Sequence, residues 1–219
     1  MAPTKHRAKL ALPALYAIVN VDDKQRNIAE YVTQLLGAGI SIIQLRNKSL
    51  SESEALDTFY ACLAARKAYP YAKILINDSV EIAQKLNADG VHLGQSDCCP
   101  KLARKTLGPS AIIGLSNHNL EQIERAAVEE LNYLALGPIY HSTTKSGHAP
   151  EVGIANLARA SSISSLPVVA IGGIDTARAA GVFAAGARSI AVISDLAKQD
   201  NLGEYNKLIE LMRDQAATN

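Results

Sequence analysis

Apolar residues along the chain fall into short β-rich runs, each followed by a turn and then by a stretch with apolar positions at helical spacing. The pattern reads as repeated βα units. The runs are Leu15–Asn20, Ser41–Arg46, Lys73–Asn77, Gly90–Gly94, Ala111–Ser116, Tyr133–Gly137, Pro167–Gly172 and Ser189–Ser194. Between and after them, Ile28, Val32, Leu35 and Leu36 make one helical stripe, and Tyr205, Leu208, Ile209 and Met212 another. Ser51 with Glu54, and Asn119 with Gln122, have the spacing of capping pairs at helix starts, and Gly37 and Gly39 stand where the first helix must stop. Runs such as Ile74-Leu75-Ile76 and Val168-Val169-Ala170-Ile171 lack strict alternation, which predicts strands buried on both faces of a parallel sheet.

Eight such units with no composition break, linker or low-complexity tract predict an α/β protein built as a single (β/α)8 TIM barrel. The barrel is expected over residues 13–219, behind a flexible N-terminal tail of residues 1–12. A Rossmann-type open sheet would need Gly-x-Gly-x-x-Gly after the first run, where Asn20-Val21-Asp22-Asp23 stands. A leucine-rich solenoid would need a Leu-x-x-Leu-x-Leu core pattern, which is missing. The length, 219 residues, leaves one domain or two open by itself, and a closed barrel of roughly 200–250 residues accounts for it.

Composition narrows the partners. Twenty-two basic and 21 acidic residues give a net charge of +1, without the concentrated basic face that phosphate-backbone binding needs, so nucleic acid is not expected as a partner. No apolar run reaches the roughly 18 residues of a membrane span. Lys5, His6, Arg7 and Lys9 before the apolar stretch from Leu10 to Val19 imitate a secretory signal, but Pro13 interrupts it and no small-x-small cleavage site follows. Cys62, Cys98 and Cys99 cannot form a paired disulfide framework, and adjacent Cys98-Cys99 lacks the spacer of a zinc or redox pair. A reducing, cytoplasmic setting is the expectation.

In a barrel of this kind the site lies at the C-terminal ends of the strands. The second run ends Gln44-Leu45-Arg46-Asn47-Lys48, the third Asn77-Asp78, the fourth continues to Asp97, the fifth ends Ser116-Asn117-His118, and the sixth leads to Ser142-Thr143-Thr144-Lys145. Asp78 and Asp97 end adjacent strands, so both could reach one metal ion; oxygen-only ligation with few carboxylates suits Mg2+, with substrate phosphates completing the shell. Taken singly, each aspartate reads as a helix cap or turn acceptor. Arg46, Lys48 and Lys145 add three cations to the same rim, and that company suits a polyanion such as diphosphate. Gly172-Gly173 after the seventh run, with Ile193-Ser194 after the eighth, occupy the barrel's usual phosphate site. Two anion sites are therefore expected, one metal-assisted and one metal-free. Among the histidines, His6 lies in the tail, His141 and His148 lie in a loop, and His92 inside a strand reads as a hydrogen-bonded wall residue. His118 beside Ser116 and Asn117 is open to a structural or a catalytic reading.

Together these strand ends resemble the thiamine-phosphate synthase family. The pieces that carry the resemblance are Gln44-Leu45-Arg46-Asn47-Lys48, Ile76-Asn77-Asp78, Ala88-Asp89-Gly90-Val91-His92-Leu93-Gly94-Gln95-Ser96-Asp97, Gly137-Pro138-Ile139-Tyr140 leading to Thr144-Lys145, Ala170-Ile171-Gly172-Gly173-Ile174 and Val192-Ile193-Ser194. The resemblance implies a transferase of thiamine biosynthesis that joins 4-amino-2-methyl-5-hydroxymethylpyrimidine diphosphate to 4-methyl-5-(2-phosphoethyl)thiazole, or its carboxylate, giving thiamine phosphate and diphosphate. It also implies that Gln44, Arg46, Lys48, Asn77 and Lys145 hold the pyrimidine diphosphate, with Ser116 near the pyrimidine and Asp78 and Asp97 holding Mg2+. Ser142, Thr143, Thr144, Gly173, Ile193 and Ser194 would hold the thiazole phosphate. Arg46, Lys48 and Lys145 would act catalytically by stabilising charge on the departing diphosphate. The partners expected are two small phosphorylated substrates, with homo-oligomerisation left open.

Three positions depart from the family pattern: Asn47 where an acidic residue is common, Ser79 where Arg often follows Asn-Asp, and His141 in place of a frequent Pro. Two other functions compete. A thiazole tautomerase on a similar barrel would use His118 as acid and base and has no use for the Asp pair and the cation cluster. A non-catalytic phosphate-binding barrel would need only the Gly172-Gly173 turn and the end of the eighth run. The loop from Ser142 to His148, with Gly147 as hinge, is where closure over substrates is expected.

Overall fold

The computed structural model describes residues 10–126, 129–141, 150–196, 198, 203–205 and 207. Eight parallel strands, β1 (Leu15–Asn20), β2 (Ile42–Arg46), β3 (Lys73–Asn77), β4 (Gly90–Leu93), β5 (Ile112–Asn117), β6 (Tyr133–Leu136), β7 (Val168–Ile171) and β8 (Ser189–Val192), close into one barrel in sequence order. The helices that follow them are α1 (Ile28–Gly37), α2 (Glu52–Ala65), α3 (Val80–Lys85), α4 (Pro100–Leu107), α5 (Leu120–Ala126), α6 (Gly153–Ile163) and α7 (Thr176–Ala184). Pairing of β1 with β8, Tyr16 opposite Ala191, closes the ring.

Alternation along each strand sorts the apolar residues into two clusters, which explains why the runs are apolar on both faces. Leu15, Ala17, Val19, Ile43, Leu45, Ile74, Ile76, Val91 and Leu93 face the helices, where Val32, Leu35, Leu36 and Phe59 meet them. Tyr16, Ile18, Ile42, Leu75, Ile112, Tyr133, Ala135, Val169 and Ala191 fill the interior. Leu12 is buried in that inner cluster and Leu10 packs against it, so the chain is already seated under the barrel before β1 begins. At Gly114 of β5 a Cβ would run into the Tyr133 ring, so the absent side chain is what lets that ring lie across the interior.

The helix starts behave as their sequences predict. Ser51 and Glu54 form a reciprocal capping box at α2, and Asn119 Oδ1 accepts from the Gln122 backbone N–H at 2.9 Å. Gln122 departs from the box pattern: its side-chain oxygen accepts from the His118 backbone N–H at 2.6 Å, one residue further back. Helix α1 ends at Gly37, with its stripe Ile28, Val32, Leu35 and Leu36 buried. Of the other predicted stripe, Tyr205 is buried and its hydroxyl meets Asp195 at 2.8 Å; Leu208, Ile209 and Met212 lie outside the described residues.

Candidate active site

Because side chains alternate, the upper interior of the barrel receives Gln44 and Arg46 from β2, Asn77 from β3, His92 from β4 and Ser116 from β5. These polar residues replace the aliphatic ones that fill the lower interior. Gln44 is buried and its amide donates to the Tyr16 hydroxyl at 2.8 Å. The Arg46 guanidinium donates to Asn20 Oδ1 at the end of β1 (3.3 Å), which props it at the rim. Lys48 is exposed two residues beyond.

His92 is buried, with Nδ1 2.8 Å from the Tyr133 hydroxyl and Nε2 2.9 Å from Ser116 Oγ, the wall position the sequence indicates. His118 lies just past β5, exposed, and its Nδ1 sits 2.7 Å from the Gly137 carbonyl. A carbonyl only accepts, so Nδ1 carries a proton.

The carboxylates stand on the next two turns. Asp78 has φ of +65°, a left-handed conformation that aspartate tolerates better than most residues, and its backbone N–H donates to the His92 carbonyl at 2.8 Å. The β3–α3 turn is thereby laced to β4. Asp97 is exposed, and its Oδ2 accepts from the Gly94 N–H at 2.6 Å, folding the β4–α4 loop back on the strand end. Among the described residues, no group of three or more His, Cys, Asp or Glu converges as a ready-made metal cage. Burial pushes the Cys62 thiol up to about 12, which leaves it inert.

Across the rim, Gly172 and Gly173 have φ of +100° and +64°. A Cβ on Gly172 would come within 2.6 Å of Pro138, and one on Gly173 would strike the His141 carbonyl. Only glycine lets the β7–α7 turn lie this close to the chain leaving β6. Backbone bonds from Ile139 N to the Ile171 carbonyl (2.9 Å) and from Tyr140 N to the Gly172 carbonyl (3.0 Å) bind the two loops together. Ile193 is half-buried and Ser194 exposed just past β8, beside this turn. Ser142, Thr143, Thr144, Lys145, Gly147 and His148 lie outside the described residues.

Two residues that carry this site have no signal in the motifs: Tyr16 and Tyr133, whose hydroxyls meet at 2.8 Å in the barrel interior. The clue was available, since a tyrosine in a buried strand must find a partner for its hydroxyl. Which partner it finds depends on barrel closure. Asn20 and Arg178, which hold Arg46 and Gly173 respectively, were equally silent.

A closed parallel barrel with polar inward residues, two carboxylate-bearing turns and a glycine turn all at the strands' C-terminal ends defines a (β/α)8 barrel enzyme. Residues 15–196 match the family model for thiamine monophosphate synthase. The thiamine-phosphate synthase of Koribacter versatilis (strain Ellin345) is 38% identical over 192 residues, 85% of this chain and 90% of that one. That of Saccharophagus degradans is 39% identical over 180 residues, 82% of each chain. The solved thiamine phosphate pyrophosphorylase from Pyrococcus furiosus superposes with a TM-score of 0.78 at 29% identity, covering 90% of this chain and 95% of that one. The chain belongs to the thiamine monophosphate synthase family, and it is an enzyme of the transferase class.

Proposed function

We propose that the enzyme is a thiamine-phosphate synthase that joins 4-amino-2-methyl-5-hydroxymethylpyrimidine diphosphate to 4-methyl-5-(2-phosphoethyl)thiazole or its carboxylate. The observation that carries this reading is the division of the rim into two unlike halves. One half, at β2 to β5, offers Gln44, Arg46, Asn77 and Ser116 beside the Asp78 and Asp97 turns. The other, at β7 and β8, offers backbone at Gly173 beside Ile193 and Ser194. A diphosphate suits the first and a phosphate monoester the second.

In this reading Gln44, Arg46, Lys48, Asn77 and Lys145 hold the pyrimidine diphosphate with Ser116 at its ring, and Ser142, Thr143, Thr144, Gly173, Ile193 and Ser194 hold the thiazole phosphate. Asp78 and Asp97 fit Mg2+, since both are hard oxygen donors on neighbouring turns and too few to satisfy the ion without substrate oxygens and water. Bound there, the ion would neutralise diphosphate charge. The bond from the pyrimidine methylene carbon to the diphosphate oxygen breaks with its electron pair leaving on diphosphate. The thiazole nitrogen then supplies the pair that forms the new C–N bond, and where the carboxylate is the substrate its carboxyl group leaves as CO2, the bonding pair staying on the ring carbon to be protonated. No protein nucleophile is needed. Arg46, Lys48 and Lys145 stabilise the negative charge growing on the leaving group, and the two halves of the rim hold the reactants in line.

The test incubates both substrates with and without Mg2+ and measures thiamine phosphate and diphosphate. Product that depends on the metal is expected; tautomerised thiazole with no thiamine phosphate would overturn the reading. Asp78→Asn, which keeps a residue suited to the left-handed turn, and Lys145→Ala are each expected to lower kcat by about 10²–10³ while the unfolding midpoint holds, as for loss of one preorganised charge contact. A variant with full activity refutes that residue's role.

A further inference from the structure

Gln44, Tyr16, Tyr133, His92 and Ser116, one residue from each of β2, β1, β6, β4 and β5, form a single hydrogen-bonded chain across the barrel interior. Its links measure 2.8, 2.8, 2.8 and 2.9 Å. Tyr16 and Tyr133 are 1% and 0% exposed, and the His92 ring stacks on Tyr133 at 5.6 Å between centroids. Burial raises both phenols above their ordinary range, so each keeps its one proton.

Proton counting then gives the chain a direction. The Gln44 amide donates to Tyr16 Oη, so Tyr16 must give its own proton to Tyr133. Having accepted, Tyr133 gives its proton to His92 Nδ1. A neutral imidazole with Nδ1 accepting carries its proton on Nε2, which donates to Ser116 Oγ. With the Gln44 amide nitrogen facing Tyr16, the opposite direction would leave the Tyr16 proton without an acceptor among the described residues, in a wholly buried place where an unmade bond is costly.

We propose that Tyr16 and Tyr133 are positioning residues that lock His92 as its Nε2–H tautomer, so that Ser116 Oγ accepts the His92 proton and directs its own at an unprotonated ring nitrogen of the bound substrate. The substrate part rests on the aminopyrimidine reading above. A heterocycle with a lone pair at that edge is accepted. A ring presenting N–H there faces the hydroxyl proton and can bond only if Ser116 turns that proton away and accepts on its second lone pair, so it binds more weakly. Neither tyrosine touches the reacting atoms.

The test uses the full chain with ¹⁵N-labelled histidine, without substrate, and reads the His92 ring by long-range ¹H–¹⁵N correlation. Wild type is expected to show Nε2–H alone, and Tyr133→Phe and Tyr16→Phe a mixture of tautomers. If Tyr133→Phe does not fold, Tyr16→Phe carries the same test, because it removes the donor that forbids Tyr133 from accepting from Nδ1. Calorimetric titration with the pyrimidine diphosphate should show about tenfold weaker binding in either variant, the size of one lost hydrogen bond. Binding of the thiazole phosphate should be unchanged, a split that general loosening of the barrel would not produce. An Nδ1–H tautomer in wild type, or variants with unaltered tautomer and affinity, overturns the positioning role. Wild type with the Nε2–H tautomer that binds no pyrimidine diphosphate overturns the substrate reading instead.

Discussion

Two of the three departures from the family pattern become intelligible residue by residue. Asn47 accepts from the N–H groups of Ser49 (3.2 Å) and Leu50 (3.0 Å) and donates to the Leu50 carbonyl (2.8 Å), so it closes the turn between β2 and α2. Ser79 caps α3 by accepting from the Ile82 N–H at 3.2 Å. Both serve the backbone that carries Lys48 and Asp78. His141 is exposed, and its backbone carbonyl bears on the Gly173 turn. Glu54 yields a pH prediction at this scale. Hydrogen bonds from the Ser51 hydroxyl and backbone N–H hold its carboxyl below the usual carboxylate range. A depressed folded value stabilises the fold above the unfolded value of about 4.3, and that contribution is lost as pH falls through the folded one. Chemical denaturation from pH 6 down to 3 should therefore show wild type losing more stability than Glu54→Gln, whose side chain cannot titrate. Such local bonds could be read from Ser-x-x-Glu spacing, because both partners lie within one helical turn.

Elements bring together what spacing alone leaves apart. The Arg178 guanidinium on α7 lies 4.7 Å over the Tyr140 ring and donates to the Gly173 carbonyl at 2.6 Å, so one side chain pins the β7–α7 turn to the chain leaving β6. An exposed cation–π contact and one hydrogen bond are each worth about 1 kcal/mol. Arg178→Ala is accordingly expected to raise KM for the thiazole phosphate by about three- to tenfold with kcat within about twofold, read from initial rates at saturating pyrimidine diphosphate; unchanged KM would detach this clamp from the phosphate half of the rim. Nothing in the sequence marks Arg178, which sits in a helix among alanines. Its importance arises from the neighbouring unit. The same holds for Tyr16 and Tyr133, 117 positions apart, whose meeting requires the sheet to close.

For the molecule as a whole, stability rests on the shell between strands and helices. Leu35 of α1 is fully buried there. Leu35→Ala should cost about 2–5 kcal/mol, seen in urea as a lower midpoint with an unchanged slope. A smaller loss would mean that the shell relaxes around the gap. Closure has a second tie besides the strand ladder: the Tyr31 hydroxyl on α1 donates to the Leu196 carbonyl just past β8 at 3.1 Å, joining the first unit to the last. The sequence by itself determined the eight-fold beat, the two-faced strands, the helix caps and the rim addresses of Gln44, Arg46, Asn77, Asp78, Asp97, Ser116 and Gly173, because period, capping and position at a strand's end are local properties. Only the tertiary structure decided which of those residues speak to one another. The chain from Gln44 through two tyrosines and His92 to Ser116, and the clamp of Arg178 on Gly173, are contacts between units whose partners are chosen by barrel closure and strand register, and neither can be computed from spacing along one segment.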